Sequence, residues 1–184
     1  AQELSPLPFM KMHGAGNDFV VIDRRAGGAP VTAALARAIG DRHRGIGFDQ
    51  LAVIESDPDV VAKLTFFNAD GSQAGACGNA TRCIARMLMA ASGKPALTLR
   101  TERGVLACED AGGGLTRVNM GPPLTDWRDI PLAEATDTLH LPIAGDPVAT
   151  GMGNPHCSFF VDDVGAVRLE EFGPAHEHHP LFPE

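Results

Sequence analysis

One segment constrains the fold of this chain more than any other, the run from residue 78 to residue 92. Its apolar residues recur at the spacing i, i+3, i+4, i+7, i+8 and i+11, as Ala80, Cys83, Ile84, Met87, Leu88 and Ala91. This spacing predicts an amphipathic α-helix with one buried face. Gly93 and Pro95 follow directly, and both are typical of a helix end. The rest of the chain must therefore supply an apolar surface that receives this helix.

Short runs of strand-forming residues surround the helix and predict a sheet. They cover residues 18–23, 50–55 and 60–68 before the helix, and 96–102, 105–109 and 115–120 after it. Turn residues at Arg103-Gly104 and Gly112-Gly113-Gly114 separate the last three runs. This arrangement is typical of an antiparallel meander.

A second, shorter helix is expected between the first two strands. Thr32 is a candidate N-cap residue, and Leu35, Ala38 and Ile39 would share the buried face. Residues 9–17, ahead of the first strand, are expected to form a loop.

A proline-rich stretch divides the chain into parts. Gly121-Pro122-Pro123 breaks the strand pattern, so we expect a first domain over residues 9–122 and a connector over residues 123–146. Strand signals resume at 147–150 and 157–161. The region 147–184 is too small to bury a core of its own, and it is expected to begin a second, incomplete domain.

Composition argues against several classes of function. The formal net charge is −8 and no basic cluster offsets it, so a nucleic-acid partner is not expected. No apolar run approaches the roughly 20 residues that cross a bilayer, and residues 1–8 lack the blocks of a secretion signal. The four cysteines have no spacing typical of a zinc site. A cytoplasmic chain with reduced thiols and no metal is therefore expected.

Cys77 differs from the other cysteines because it directly precedes the predicted helix. Backbone N–H groups and the helix dipole favour negative charge there, so Cys77 is expected to be a thiolate that acts as a base or nucleophile. Gly78 would let a ligand approach the backbone closely, and Asn79 would supply amide donors and acceptors. Cys83 on the apolar stripe and Cys108 within a strand are expected to be packing residues.

Amide side chains occur where glycine-rich loops meet strands, at Asn17, Gln50 and Asn68. Taken singly, such residues are typical of turns. Together with a cysteine at a helix start, they predict a polar pocket of neutral donors and acceptors. Such a pocket suits a zwitterionic ligand.

Two polar motifs occur later in the chain. Pro155 restricts Asn154 to extended geometry, and His156 either tunes a nearby proton-transfer group or forms a hydrogen bond at a strand edge. The other motif is a group of histidines, His176, His178 and His179. Because no cysteine or acidic ligand pattern accompanies these histidines, a solvated loop is expected there rather than a metal site.

Six motifs, in their order along the chain, resemble those of the diaminopimelate epimerase family. They are KMHGAGNDF (11–19), RHRGIGFDQ (42–50), FNADGS (67–72), ACGNATRC (76–83), MGNPHC (152–157) and EHHPLFPE (177–184). The resemblance implies an α+β fold in which a curved, mostly antiparallel sheet wraps around a central helix, followed by a similar second domain. It also implies a cytoplasmic, homodimeric isomerase that needs no cofactor. That enzyme interconverts LL- and meso-2,6-diaminopimelate in lysine and peptidoglycan precursor biosynthesis.

The resemblance assigns roles to particular residues. Cys77 would be one of two catalytic cysteines, and His156 would tune the pKa of the thiol pair. Substrate would be bound by Asn17, Gln50, Asn68, Gly78, Asn79 and Asn154. One thiolate would remove the α-proton, and one thiol on the opposite face would return another.

The chain departs from the family pattern in two respects. Ala80-Thr81 replaces the more usual Gly-Ala after the Cys-Gly-Asn triplet. The family's second catalytic cysteine, a Glu-Arg pair and a further substrate-binding Asn would lie beyond residue 184. The 184-residue chain is therefore expected to be inactive alone, and the full-length protein active.

Two alternatives stay open. The first is an isomerase of the same fold acting on another substrate, such as a proline racemase-like or phenazine-biosynthesis-like enzyme. The Asn-Ala-Asp-Gly-Ser and Gly-Asn-Pro-His motifs favour diaminopimelate over that alternative. The second is a non-catalytic module that holds an amino acid or a partner.

Overall fold

A computed structural model describes residues 6–183, which belong to two compact units that divide between Met120 and Gly121. The described strands of the first unit are Met10–Gly14 (β1), Asn17–Asp23 (β2), Gln50–Glu55 (β3), Ala62–Asn68 (β4), Gln73–Ala74 (β5), Ala96–Thr101 (β6), Gly104–Gly112 (β7) and Leu115–Val118 (β8). Its described helices are Ala33–Gly40 (α1) and Gly78–Ser92 (α2). Across residues 6–183, every helix is too short or too polar to span a bilayer.

The strands of the first unit form a mixed sheet in the order β1-β2-β3-β4-β6-β7-β8, with β5 beside β4. The pairs β2–β3 and β4–β6 are parallel, and the other neighbours are antiparallel. The meander predicted for the last three strands is confirmed. The loop expected over residues 9–17 is partly wrong, because Met10–Gly14 forms β1, in which Met10 and Met12 alternate with polar residues and pack against the core.

The central strands are buried on both faces. In β2, Phe19 and Val21 belong to the core cluster around α2, whereas Val20 and Ile22 belong to the cluster around α1. Successive side chains of a strand point to opposite faces, which explains why this strand is a continuous apolar run. Each fully buried side chain of this size contributes about 2 kcal/mol to folding.

The sheet curves around α2. The helix packs against β1 at one end of the strand order and against β8 at the other, which requires the sheet to curl. The helix predicted over 78–92 is confirmed, and Gly93 ends it in the left-handed conformation. Its predicted face is partly wrong. Ala91 is exposed, while Thr81, Ala85 and Met89 are buried, because the curved sheet covers a wider arc than one stripe.

The N-cap predicted for α1 is confirmed, since the Thr32 hydroxyl oxygen accepts a hydrogen bond of 3.2 Å from the Leu35 N–H. The predicted face is partly wrong, because Ala38 is exposed whereas Ala36 and Gly40 are buried. A Cβ at Gly40 would lie 3.0 Å from the carbonyl oxygen of residue 69, so α1 approaches the backbone closely at its small residues. The expected α+β fold, a curved sheet around a central helix, is confirmed.

The second unit contains the antiparallel hairpin of Val148–Gly151 (β9) and Pro155–Ser158 (β10), a 3₁₀ turn at Val164–Ala166 and the helix Leu169–Glu177 (α3). Its described core consists of Ile130, Leu132, Leu141, Ala149 and Leu181. The strand expected to reach residue 161 ends at Ser158 instead. Phe160, after the end of β10, is 80% exposed.

The loop expected around the three histidines is partly wrong. His176 lies inside α3, where its ring stacks near Phe172 with centroids 4.1 Å apart. The sequence signal for this helix was weak because Gly173 and Pro174 both disfavour a helix interior. In the described range, no three His, Cys, Asp or Glu side chains are grouped as metal ligands would be.

Candidate functional site

Three of the predicted binding residues lie at one end of the sheet in the first unit. Asn17 begins β2, Gln50 begins β3 and Asn68 ends β4. Because β2 and β3 are parallel and β4 is antiparallel to β3, these ends are adjacent, and Gln50 is paired with Asn68. Each residue lies two positions along its strand from a side chain in the core around α2. All three side chains therefore stand on the face that α2 covers.

Cys77 lies at the start of α2, as predicted. It is the N-cap residue, with φ −146° and ψ 94°, and its Sγ accepts a hydrogen bond of 3.4 Å from the Ala80 N–H. The Thr81 hydroxyl donates to the Cys77 carbonyl at 2.8 Å, which holds the cap residue from the other side. The cysteine is buried, with 7% of its surface exposed.

The prediction that Cys77 is a thiolate is wrong for the unliganded chain. Burial raises the pKa of the Cys77 thiol, because a thiolate loses its solvation there. The N–H groups of Ala80 and Asn79 lower this pKa, as the helix-start argument expected, and Arg82 lowers it further. Their combined effect is smaller than that of burial. The neutral thiol is therefore the favoured form.

An amide side chain lies beside the sulfur, and a second one contacts the first. The Asn17 Oδ1 lies 3.9 Å from the Cys77 Sγ, within the range in which it accepts a weak S–H hydrogen bond. The same oxygen accepts a hydrogen bond of 3.4 Å from the Asn79 Nδ2. Arg82 in turn donates to the Asn79 Oδ1. One asparagine oxygen thus joins the cysteine to the first turn of α2.

A second amide pair lies at the same end of the sheet. Gln50 donates from Nε2 to the Asn68 Oδ1 at 3.4 Å, and the Asn68 Nδ2 donates to the Ser72 hydroxyl at 3.0 Å. The Asp70 carboxylate accepts from the Ser72 hydroxyl at 2.6 Å, which orders the turn after β4. Neutral amide groups of this kind bind both ammonium and carboxylate groups without adding net charge.

The sequence interpretation missed a charged cluster that holds Asn17 in place. Asp18 accepts from Lys11 at 2.6 Å and from Arg42 at 2.8 Å, and Arg42 also donates to Asp49 at 2.9 Å. Hydrogen bonds from Arg42 and Lys11 hold the pKa of Asp18 far below its usual range. All four residues occur in the first two family-like motifs, beside Asn17 and Gln50. Their place in these motifs was the only indication in the sequence that they belong to the site. The presence of charged residues there does not reveal which residues they contact.

Two glycines near Cys77 have different surroundings. A Cβ built at Gly78 would come no closer than 3.9 Å to the Met120 sulfur, so the space beside it is open on the protein side. A Cβ at Gly14 would lie 3.2 Å from the Asn79 Cβ. Neither glycine has a positive φ. Packing therefore explains the glycine at 14, whereas nothing in the described structure requires one at 78.

Asn154 and His156 belong to the second unit. Asn154 is exposed in the loop between β9 and β10, and His156 is exposed on β10. The His156 Nδ1 lies 3.0 Å from the Asn154 carbonyl oxygen. Because a carbonyl only accepts, Nδ1 carries the proton and Nε2 is the basic nitrogen of the neutral ring. His156 and Cys157 line an open groove of about 1120 Å³ beside α3.

The other cysteines are packing residues or surface thiols. Cys108 on β7 is 2% exposed, and its predicted packing role is confirmed. Burial raises the pKa of the Cys108 thiol to about 11. Cys83 is half-buried against the α2 core, and its sulfur donates to the His13 carbonyl at 3.5 Å.

Comparisons with known proteins agree on a family. The family model described as diaminopimelate epimerase matches residues 9–125. The diaminopimelate epimerase of Acidiphilium cryptum is 52% identical over 181 residues, which cover 96% of this chain and 65% of that protein. The diaminopimelate epimerase of Rhodospirillum centenum is 50% identical over 182 residues, covering 96% of this chain and 62% of that protein. The chain thus spans less than two thirds of the length of these relatives.

Solved structures give the same fold at low sequence identity. A probable proline racemase from Agrobacterium radiobacter matches with a TM-score of 0.57 and 16% identity, over 86% of this chain and 53% of that one. A hydroxyproline epimerase from Agrobacterium vitis matches with a TM-score of 0.56 and 15% identity, over the same 86% and 53%. These structures support the fold, and the sequence matches decide the family. The chain belongs to the diaminopimelate epimerase family.

Proposed function

We propose that this chain is the Cys77-bearing part of an isomerase that interconverts LL- and meso-2,6-diaminopimelate without a cofactor. One observation carries the proposal. Cys77 caps the central helix inside a cluster of neutral amides, and it does so in a chain about 50% identical to diaminopimelate epimerases. A cysteine serving only as packing would not need that polar surrounding.

The amide cluster supplies the binding groups. Asn17, Gln50 and Asn68 offer donors and acceptors on the face of the sheet that α2 covers, and Asn79 offers them from the first turn of α2. An α-amino acid presents an ammonium and a carboxylate side by side, and neutral amides satisfy both. The start of α2 favours the carboxylate and the negative charge that develops next to it during proton removal.

The proton transfer uses two sulfur atoms. In one direction, a thiolate removes the α-proton and becomes a thiol, while a thiol on the opposite face donates its proton to the same carbon and becomes a thiolate. The carbon is inverted and no proton is gained or lost overall. The raised pKa of Cys77 makes its thiol the favoured form before substrate binds, which suits the donor role. The partner sulfur is the second cysteine that the family resemblance implies.

The second unit supplies the remaining proposed residues. Asn154 binds substrate, and His156 tunes the pKa of the thiol pair through its basic Nε2. The hydrogen bond from Nδ1 to the Asn154 carbonyl supports this role, because it leaves Nε2 as the nitrogen that takes up a proton. A cytoplasmic homodimer is the expected form of the protein, and sedimentation velocity tests the dimer.

Solvent exchange tests the proposal directly. The full-length product of the gene is incubated with LL-diaminopimelate in deuterated water, and deuterium at the α-carbon is followed by mass spectrometry. Cys77→Ser is expected to lower the rate at least about a hundredfold, because it removes one of the two proton-transfer groups. The matched Cys83→Ser is expected to change the rate by less than about twofold. An absence of exchange with the unmodified protein would refute the proposal.

The same assay separates the two alternatives. Faster exchange with proline or hydroxyproline than with diaminopimelate would favour a related racemase. Protection of Cys77 from iodoacetamide by diaminopimelate, without any exchange, would favour a non-catalytic binding module. Peptide mapping distinguishes Cys77 from the other cysteines in that experiment.

A further inference from the structure

Asn17 has an amide group whose two ends face different partners. Its Oδ1 faces Cys77 and Asn79, and its Nδ2 donates to the Asp49 Oδ2 at 3.0 Å. Rotation of the Asn17 side-chain amide by 180° exchanges its oxygen and nitrogen with little change in shape. Turned over, it would present an N–H donor to the sulfur instead of an acceptor. The contacts of Asn17 therefore determine whether a hydrogen-bond acceptor or a donor faces the Cys77 sulfur.

Hydrogen bonds hold the Asp49 carboxylate in place, and only one orientation of the Asn17 amide can donate to it. Its Oδ2 also accepts from the Asp18 N–H at 3.0 Å, and its Oδ1 accepts from Arg42 at 2.9 Å. Its own N–H donates to Asp18 at 3.0 Å. An ionised carboxylate can only accept hydrogen bonds, so the group that faces it must be the amide nitrogen.

We propose that Asp49 is a positioning residue that fixes the amide of Asn17 with its oxygen toward the Cys77 sulfur. An acceptor at that place binds the S–H group and repels a thiolate. Asp49 thus favours the protonated form of a cysteine that it does not touch. The effect on Cys77 stands by itself, whereas its consequence for catalysis rests on the proposed epimerase function.

Other groups also act on Cys77, and their effects are distinct from that of Asp49. The charged or titratable groups that act on the Cys77 thiol are Arg82 and Cys83 of α2. The neighbouring strands β1 and β2 also bear Lys11, His13 and Asp18. None of these contacts the Asn17 Nδ2. Asn79, which Arg82 orients, also favours this orientation of Asn17, but its hydrogen bond to the Asn17 Oδ1 is 3.4 Å long, whereas the contact with Asp49 is 3.0 Å. Replacing Asp49 with a residue that has no acceptor removes the shorter contact and leaves the other groups in place.

The test measures the apparent pKa of Cys77 from the pH dependence of its alkylation by iodoacetamide, read by peptide mapping. Asp49→Ala removes the acceptor of the Asn17 Nδ2 and frees Asn17 to turn, so the pKa of Cys77 is expected to fall by roughly half to one unit. Asp49→Asn is the matched control, because it removes the same charge but keeps an amide oxygen that can accept from the Asn17 Nδ2 and the Asp18 N–H. That variant is expected to leave the pKa of Cys77 within about 0.2 units. Asp49→Leu, which also lacks an acceptor, replaces Asp49→Ala if the latter does not fold by circular dichroism.

A double-mutant cycle decides whether Asp49 acts through Asn17. In an Asn17→Ala background, Asp49→Ala should no longer change the pKa of Cys77. An unchanged pKa in the single Asp49→Ala variant would overturn the inference. An equal fall in Asp49→Asn, or a fall that persists without Asn17, would overturn it as well, since either would show a plain charge effect.

The catalytic consequence is measured separately on the full-length product. If the epimerase proposal is right, the pH profile of kcat/KM in Asp49→Ala moves to lower pH by the same amount as the pKa of Cys77. A protein without any exchange activity would defeat the epimerase proposal while the alkylation result stood. An unmoved pH profile beside a shifted thiol pKa would show that the orientation of Asn17 does not matter for catalysis.

Discussion

Two glycines beside Cys77 allow binding and stability to be tested separately. Gly78 lies in the first turn of α2 with open space beside it, so Gly78→Ala is expected to raise the free energy of unfolding by about 0.5 kcal/mol. The added methyl group enters the space where the proposed substrate approaches the backbone. Diaminopimelate binding, measured by protection of Cys77, is therefore expected to weaken about tenfold or more.

Gly14→Ala is the matched comparison. Its new Cβ would lie 3.2 Å from the Asn79 Cβ, so Asn79 has to move and about 1 kcal/mol of stability should be lost. Urea unfolding of both variants gives the two free energies. If Gly78→Ala binds diaminopimelate as well as the unmodified chain does, the ligand does not approach the backbone at residue 78.

The buried thiol of Cys108 predicts a loss of stability in alkaline solution. Burial raises its pKa to about 11 in the folded chain, whereas the unfolded chain ionises near an ordinary cysteine pKa of about 8.5. The raised pKa stabilises the folded state fully below about pH 8.5, and this contribution, up to about 3 kcal/mol, is lost as the pH rises toward 11. Cys108→Ala should therefore show a smaller decline between about pH 8.5 and 11, measured by urea unfolding.

Cys83→Ala provides the control for that experiment. Cys83 is only half-buried, so its removal should change the pH dependence less than removal of Cys108 does. Equal slopes in Cys108→Ala and in the unmodified chain would contradict the assignment of this loss to Cys108.

At the scale of single residues, candidate catalytic and binding residues were easier to predict from the sequence than the residues that hold them in position. Cys77 was found because a helix pattern begins directly after it, and Asn17 because a glycine loop meets a strand there. Asp49 was not found, since its role depends on a contact across 32 positions of sequence. The protonation of Cys77 was also misjudged, because the helix start is visible in the sequence whereas the depth of burial is not.

Among the elements, the junction of β4 and β6 is short and depends on an ion pair nearby. The described register joins these parallel strands only at Ala62–Leu99 and Lys63–Arg100. Arg100 donates from Nε to the Asp57 carboxylate at 2.7 Å, in the turn that leads into β4. Asp57 also accepts from the N–H groups of Asp59 and Val60. One carboxylate thus ties the turn to β6.

This ion pair predicts acid sensitivity. The hydrogen bond from Arg100 lowers the pKa of Asp57 to about 2, so its stabilising effect is present above the unfolded pKa of about 3.9 and is lost as the pH falls through about 2. Asp57→Asn should be less stable than the unmodified chain at pH 7. The difference in free energy of unfolding should shrink between about pH 4 and 2.

Asp59→Asn serves as the control for this pair. Asp59 also contacts Arg100, at 3.2 Å, but its side chain is 76% exposed. Its replacement should cost less at pH 7, since exposed ion pairs contribute little. A pH-independent difference between Asp57→Asn and the unmodified chain would show that Asp57 acts through packing rather than charge.

Helices and strands with a regular spacing of apolar residues were predictable from the sequence. Those whose apolar residues are interrupted by polar residues, glycine or proline were not. The α2 helix and the meander after it have clear apolar spacing and glycine turns, and their bounds agree with the structure to within a few residues. The sequence did not predict β1, because its core-facing side chains are partly buried methionines between polar residues, and it did not predict α3, because that helix contains glycine and proline. In both elements, tertiary packing overrides the local preference.

For the molecule as a whole, the two units differ in how much apolar surface each buries by itself. The described part of the first unit has two core clusters, on opposite faces of its sheet. The described core of the second unit is a single small cluster, and Phe160, Val164 and Leu169 are 80%, 74% and 65% exposed. The free energy of folding is a small difference between burial and chain entropy, so this contrast has consequences for independent folding.

We therefore expect residues 1–120 to fold alone and residues 121–184 not to. The first fragment should show a cooperative urea transition and the same pH profile of Cys77 alkylation as the whole chain, because Asn17, Asp49 and Asn79 all lie within it. The second fragment, with few buried side chains, should show no cooperative transition and little protection of backbone amides in hydrogen exchange. A changed Cys77 profile in the first fragment would mean that residues after 120 shape the environment of the sulfur. A cooperative transition in the second fragment would mean that its small core is sufficient.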